Sequence, residues 1–227
     1  MLNRHWFSLA AVFVFFIGSS ALSPTPARVR GTVTIIDGGS LTVKEQDGTT
    51  LTIGTDSTTK YVDVVPSSLD TIKVNDYIGT AVKGPLNHLI AVEIALVPET
   101  MRPGRIGFYP WDSLPDTSGV PPPDRARAHV ASGVVAHISR ARPEMTDTNM
   151  TNGTVSAAES SRIGRTLTVT LVGGTSAKIL VSRTAPVVRF IPSGRLTLSA
   201  GSAVVVWTRP NGKARIVAVG KGIRPPM

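Results

Sequence analysis

The chain carries one strand pattern twice. Gly31-Thr32-Val33, Leu41-Thr42-Val43 and Leu51-Thr52-Ile53 return in the same order as Gly153-Thr154-Val155, Leu167-Thr168-Val169 and Ala177-Lys178-Ile179. Each copy runs on through a proline, Pro66 or Pro192, and closes in an apolar alternation, Val92-Glu93-Ile94 or Val217-Ala218-Val219. The offset is 122 residues at the first element (31 to 153) and 126 at the second (41 to 167), so a small insertion near Ser160 to Ile163 accounts for the slip. Solenoid repeats have periods of roughly 20–50 residues, so a recurrence this wide implies two copies of one small domain. The spacing predicts a first domain over 28–97 and a second over 151–222.

Within each copy the pattern has period two. Thr32, Thr34, Thr42 and Thr52 alternate with Val33, Ile35, Val43 and Ile53, which suits strands with one apolar face. Asp37-Gly38-Gly39 and Asp47-Gly48 supply the tight turns between them, and Gly173-Gly174 stands where Asp47-Gly48 stood. Lys60 to Val65 reads as a further strand, Leu69 to Val74 as a turn or short helical piece, and Tyr77 to Val82 with Ala91 to Val97 as a closing pair. Ala203 to Trp207 suits a strand buried on both sides. Five or six short strands per copy make a poor two-layer sandwich. Curling the sheet buries one face and removes open edges. The predicted fold is all-β, with two small OB-like barrels in tandem joined by a proline-rich linker over 98–150. Eight prolines fall between Pro98 and Pro143, and proline cannot donate to a ladder. Ala128 to Ile138 alternates weakly and reads as one further strand or helical turn.

Residues 1–21 read as an export leader. Arg4 and His5 precede the apolar run Phe7 to Ile17, and Ser19-Ser20-Ala21 offers small residues for cleavage after Ala21. An uncleaved anchor needs about 20 apolar residues, more than this run provides. The expected location is periplasmic or secreted, with no transmembrane span in the mature chain. There are no cysteines, so neither a disulfide frame nor a lipid-anchored start is available.

Taken in order, Arg30-Gly31-Thr32-Val33, Pro98-Glu99-Thr100-Met101-Arg102, Tyr109-Pro110-Trp111-Asp112, Met150-Thr151-Asn152-Gly153-Thr154-Val155, Gly164-Arg165-Thr166-Leu167-Thr168-Val169-Thr170 and the end Val217-Ala218-Val219-Gly220-Lys221 with Pro225-Pro226-Met227 carry a resemblance. The chain resembles an uncharacterised family of secreted bacterial proteins built from a small OB-like domain of unknown function. That resemblance implies fold and export and brings no activity with it. Val120 to Glu144 departs from the pattern as extra linker.

Charge divides the copies. Leu22 to Val97 holds six Lys and Arg against eight Asp and Glu, whereas Thr151 to Met227 holds eleven against Glu159 alone. A basic barrel outside the cytoplasm suits anionic envelope polymers or lipid headgroups. The candidate contacts are Arg183, Arg189, Arg195, Arg209, Lys213 and Arg215. The alternative is that the charge sets solubility or holds the basic copy near the acidic one. Nucleic acid is disfavoured, because the second copy has only Phe190 and Trp207 as stacking aromatics. Tyr109 and Trp111 form the densest aromatic spot outside the leader, as a stacking platform for a sugar ring or a partner's proline, or as an anchor pinning the linker to a barrel. His88, His129 and His137 form no metal-binding spacing, and no Gly-x-Ser-x-Gly elbow occurs. The expectation is a non-catalytic, cofactor-free, metal-free envelope module. The competing reading is a periplasmic hydrolase or metal-dependent enzyme with its site between the barrels.

Overall fold

The computed structural model describes residues 28–102, 107–120, 144–171 and 174–225. The expected leader and Ala128 to Ile138 lie outside the described residues. The described chain is all-β, as the alternation requires. The first copy forms β1 (Arg28–Asp37), β2 (Ser40–Glu45), β3 (Thr50–Gly54), β4 (Lys60–Ser67), β5 (Tyr77–Lys83) and β6 (Leu89–Leu96). β7 (Gly107–Pro115) follows. The second copy forms β8 (Met145–Ser160), β9 (Gly164–Thr170), β10 (Ser176–Ser182), β11 (Val187–Ser193), β12 (Ala203–Thr208) and β13 (Ala214–Gly220). No described helix is long and apolar enough to cross a membrane.

All thirteen strands belong to one sheet, and the copies interleave within it. The β1–β2–β3 and β8–β9–β10 meanders are local, as are the β5–β6 and β12–β13 hairpins. Six further pairings cross between copies: β1–β12, β5–β8, β6–β10, β6–β11, β4–β13 and β4–β11. This corrects the expectation of two self-contained barrels over 28–97 and 151–222. Each meander receives its closing hairpin from the other copy. On one side the pairings run β8–β9–β10–β6–β5 and back to β8. On the other, β1, β2, β3, β12 and β13 follow the same order, with no ladder between β3 and β13 among the described residues. The physical reason lies in β4 and β11. Each follows its meander through a hydrogen-bonded turn, Asp56–Thr59 or Ser182–Ala185, but pairs with no strand of that meander and carries the chain across to the neighbouring lobe, as in a domain swap made within one chain.

The repeat survives this exchange. β4 and β11 pair antiparallel with Val64 opposite Phe190, Tyr61 opposite Ser193 and Ser67 opposite Val187. The offset of 126 carries Val64 onto Phe190, so that pair maps onto itself and marks a pseudo-two-fold axis. After β4, Asn75 (φ 75°) donates to the Val155 carbonyl at 2.8 Å, and after β11 Gly201 (φ 86°) donates to the Val33 carbonyl at 2.8 Å. The two turns are 126 residues apart, and each docks on the other copy's first strand.

One core fills each lobe. Val29, Val33, Leu41, Val43 and Ile53 pack with Val204, Val206, Val217 and Val219. Val155, Leu167, Val169 and Ile179 pack with Ile78, Val82, Ile94 and Leu96. The first strand of each copy bulges at equivalent places, between Val33 and Ile35 and between Val155 and Ala157. An extra residue reverses the alternation, so Ile35, expected on the apolar face, is 59% exposed.

A third cluster joins the lobes. It gathers Val62, Val64, Ala95, Val188, Phe190, Val205 and Ala218, with Met101, Tyr109, Trp111 and Trp207 packed over it. Part of its cover is β7, a strand inside the stretch expected to be linker. Among the described residues β7 pairs only with β8, and its register shifts between Pro110 and Ser113. An edge strand that needs few donors on its outer side tolerates Pro110 and Pro115.

Candidate functional site

Two concavities of the described surface lie beside the predicted site residues. The smaller, about 290 Å³, is a groove between the lobes, beside the pseudo-two-fold axis. Phe190 of β11, Trp207 of β12, Ile216 of β13 and Met150 of β8 contribute to it, and Tyr109 and Trp111 of β7 line it. Phe190 and Trp207 lie 6.5 Å apart with planes tilted by 59°, and Tyr109 meets Trp111 edge-on at 5.9 Å and 70°. Asn152, 4% exposed, donates its amide to the Tyr109 hydroxyl at 3.0 Å and fixes that ring. Arg28 lies over Trp111, its guanidinium carbon 3.4 Å from the ring centroid. Asp112 holds Arg28 through both carboxylate oxygens and takes Arg30 at 2.9 Å. That clasp ties β7 to β1. Arg215 and Thr208 also line the groove, and no acidic side chain does.

The larger concavity, about 980 Å³, is electrically mixed. Arg28, Arg30, Arg183 and Arg224 line it with Glu45, Asp47, Asp70, Glu93 and Asp112. Opposed charges there cancel much of any preference for an anion. Among the described residues, no group of three or more His, Cys, Asp and Glu is placed to hold a metal ion.

The six candidate cations separate. Arg195 donates to the Asp37 and Gly38 carbonyls, Arg209 binds Asp56 at 3.4 Å and the Thr58 carbonyl at 3.0 Å, and Lys213 stands 3.7 Å from Asp56. Arg165 and Lys221 also reach the first copy, at Leu69, Ile72 and Asp63. Much of the charge asymmetry is therefore spent between the interleaved copies. Arg183, Arg189 and Arg215 are exposed and have no ion pair or hydrogen-bonded side-chain partner among the described residues. They do not share a face. Arg183 lines the large cleft, Arg215 the groove, and Arg189 points away from its neighbour Phe190 by strand alternation.

Tyr109 and Trp111 do come together in one place, and they both cover the third cluster and line the groove. Sequence reasoning missed Phe190, Trp207, Asn152 and Arg28 as their companions. Their separation along the chain leaves no linear signal. It also missed how residues 116–120 are held. Lys83, 4% exposed, pairs with Asp116 and donates to the Val120 carbonyl at 2.5 Å.

Asp56 and Asp116 titrate below their ordinary value of 3.8. For Asp56 the Thr58 hydroxyl is the main cause, aided by Arg209 and Lys213. At Asp116 burial pulls upward but is outweighed by hydrogen bonds from Lys83 and Ser118. Carboxylates with depressed folded values stabilise the fold above the ordinary value, and that contribution is lost as pH falls through the folded one. The melting temperature is therefore expected to hold steady from pH 7 to about 5 and to fall below about pH 4. Asp116→Asn leaves Lys83 buried without its counter-ion and should cost about 2 kcal/mol at pH 7, less than for a fully enclosed pair. It should also flatten the acid limb. An acid limb identical to the parent's would remove Asp116 from this account.

No family model matches the chain, and no curated protein or solved structure matches it.

Proposed function

We propose that the protein is a non-catalytic binding module of the cell envelope, made of two OB-like lobes that exchange their closing hairpins, and that it holds an anionic envelope component in the groove between them. The observation that carries this reading is the lining of that groove. Four aromatic rings and two arginines converge there, with no carboxylate among the lining residues. Arg215 is the working cation. It is exposed and unpaired among the described residues, whereas Arg28 is already committed to Asp112. The leader read over residues 1–21 supports the envelope as the setting.

The test is binding of the mature chain to an acidic polysaccharide and to phosphatidylglycerol vesicles. Arg215→Glu is expected to weaken binding by roughly tenfold or more, since a charge-assisted contact becomes a repulsion. Arg183→Glu, in the mixed cleft, should change it less than about twofold, as an exposed charge away from the contact does. Binding should also fall from 0.1 to 1 M salt as the Debye length shrinks from about 10 to about 3 Å. Equal losses in the two variants, or no binding to either probe, would overturn the assignment.

A further inference from the structure

The shape and chemistry of the groove say more about its ligand than its charge does. Its volume, about 290 Å³, is at the lower end of ligand clefts, which suits one ring rather than a chain or a nucleotide. The four aromatic rings meet at 59° and 70° within their pairs, so neither pair forms a parallel slot for a flat aromatic guest. Aromatic faces carry negative quadrupole density. They attract the polarised C–H groups that cover one face of a pyranose. The same cavity is lined by the Tyr109 and Thr208 hydroxyls and by Asn152, whose amide donates to Tyr109, so its wall is polar as well as aromatic. Arg215 adds a planar double donor suited to a carboxylate or phosphate.

We infer that the groove is a subsite for one pyranose ring bearing a negative group, with the ring packed among Trp111, Trp207, Tyr109 and Phe190 and its acidic substituent on Arg215. The inference rests on the proposed anion-binding function and narrows it to an acidic sugar. Arg28 acts as a positioning residue, since it holds the Trp111 ring by cation–π contact while Asp112 holds Arg28. Met101, Met150 and Val97 close the apolar side.

The assay is built into the site. Of the three tryptophans, Trp6 lies in the expected leader, so Trp111 and Trp207 report the emission of the mature chain from the groove itself. Titration of that emission with D-glucuronate or D-glucose 6-phosphate should saturate, the two arms separating a carboxylate from a phosphate as the preferred acid. Whichever acid is preferred should bind roughly tenfold more tightly than D-glucose, the ratio one charge-assisted hydrogen bond supplies. Arg215→Gln should remove that ratio while leaving the weak response to D-glucose. Tyr109→Ala should weaken both sugars, with the circular dichroism of the variant confirming an intact sheet. Equal affinity for D-glucose and the acids would overturn the acidic-sugar assignment, as would tighter binding of benzoate than of either sugar acid. Binding of acidic vesicles with no response to any monosaccharide would overturn the subsite while leaving the broader anion-binding function in place. Silence in both experiments removes both.

Discussion

Expressed separately, residues 22–120 and 144–227 are expected to fail as monomers and to recover the native fold when mixed. Half of the twelve pairings outside β7 cross between copies, so each fragment alone leaves β4 or β11, at least one meander edge and both hairpin edges without ladder partners. Each lobe core also draws its walls from both copies: Val155, Leu167 and Ile179 need Ile78 and Ile94 as surely as Val33 and Leu41 need Val204 and Val217. Unpaired strand edges and half-built cores favour unfolding, aggregation or self-pairing. The charge division favours the mixed complex, because Arg209 and Lys213 of one fragment meet Asp56 of the other and Lys221 meets Asp63. Analytical ultracentrifugation with circular dichroism reads the result directly. A fragment that sediments as a monomer and melts cooperatively would show that the interleaved pairing is not what stabilises the sheet.

Gly31→Ala and Gly153→Ala should each cost more than about 3 kcal/mol, because neither site can accept a methyl group without moving a backbone. A Cβ on Gly31 would fall against the Lys44 carbonyl and 2.8 Å from Val43 Cγ1; on Gly153 it would fall against the Thr170 carbonyl and 2.6 Å from Val169 Cγ1. These are the same contact in the two copies, just before the bulge in the first strand. The cause is close approach of neighbouring strands, since neither glycine is in the left-handed region. Gly38→Ala, where a Cβ meets nothing, is the control and should be nearly neutral. Chemical denaturation of the three variants checks it. Parent-like stability in either buried variant would show that the strands can part at the bulge.

Much of the strand content was legible because it depends on local patterns. Alternation placed β1 to β6, β9, β10, β12 and β13 close to their observed positions, the Asp-Gly turns fell between strands, and the short helical piece expected in Leu69 to Val74 is the 3-10 turn Leu69–Thr71, whereas β8 begins at Met145, inside the stretch expected as linker, and β11 was marked only by Pro192. Alternation also misled where it met a bulge, at Ile35, since one inserted residue reverses the phase beyond it. β7 was hidden by its prolines, which exclude a central strand but not an edge one. The site was legible only as Tyr109 and Trp111. Their partners arrive from β8, β11, β12 and β13, and the six candidate cations could not be sorted until the copies were seen to interleave.

The amino-acid sequence by itself determined that the chain is β, that it is a repeat with equivalent glycines, turns and core positions, and that its two copies differ in charge. These properties belong to residues near one another in the chain, where periodicity, turn chemistry and composition act directly. Only the tertiary structure decided which meander each hairpin completes, and so where the groove lies and which arginine remains free to face it. Equivalent copies present equivalent edges, so a hairpin finds nearly the same ladder on either meander. The choice falls to the path of β4 and β11, the self-paired contact of Val64 with Phe190, and the attraction between an acidic copy and a basic one.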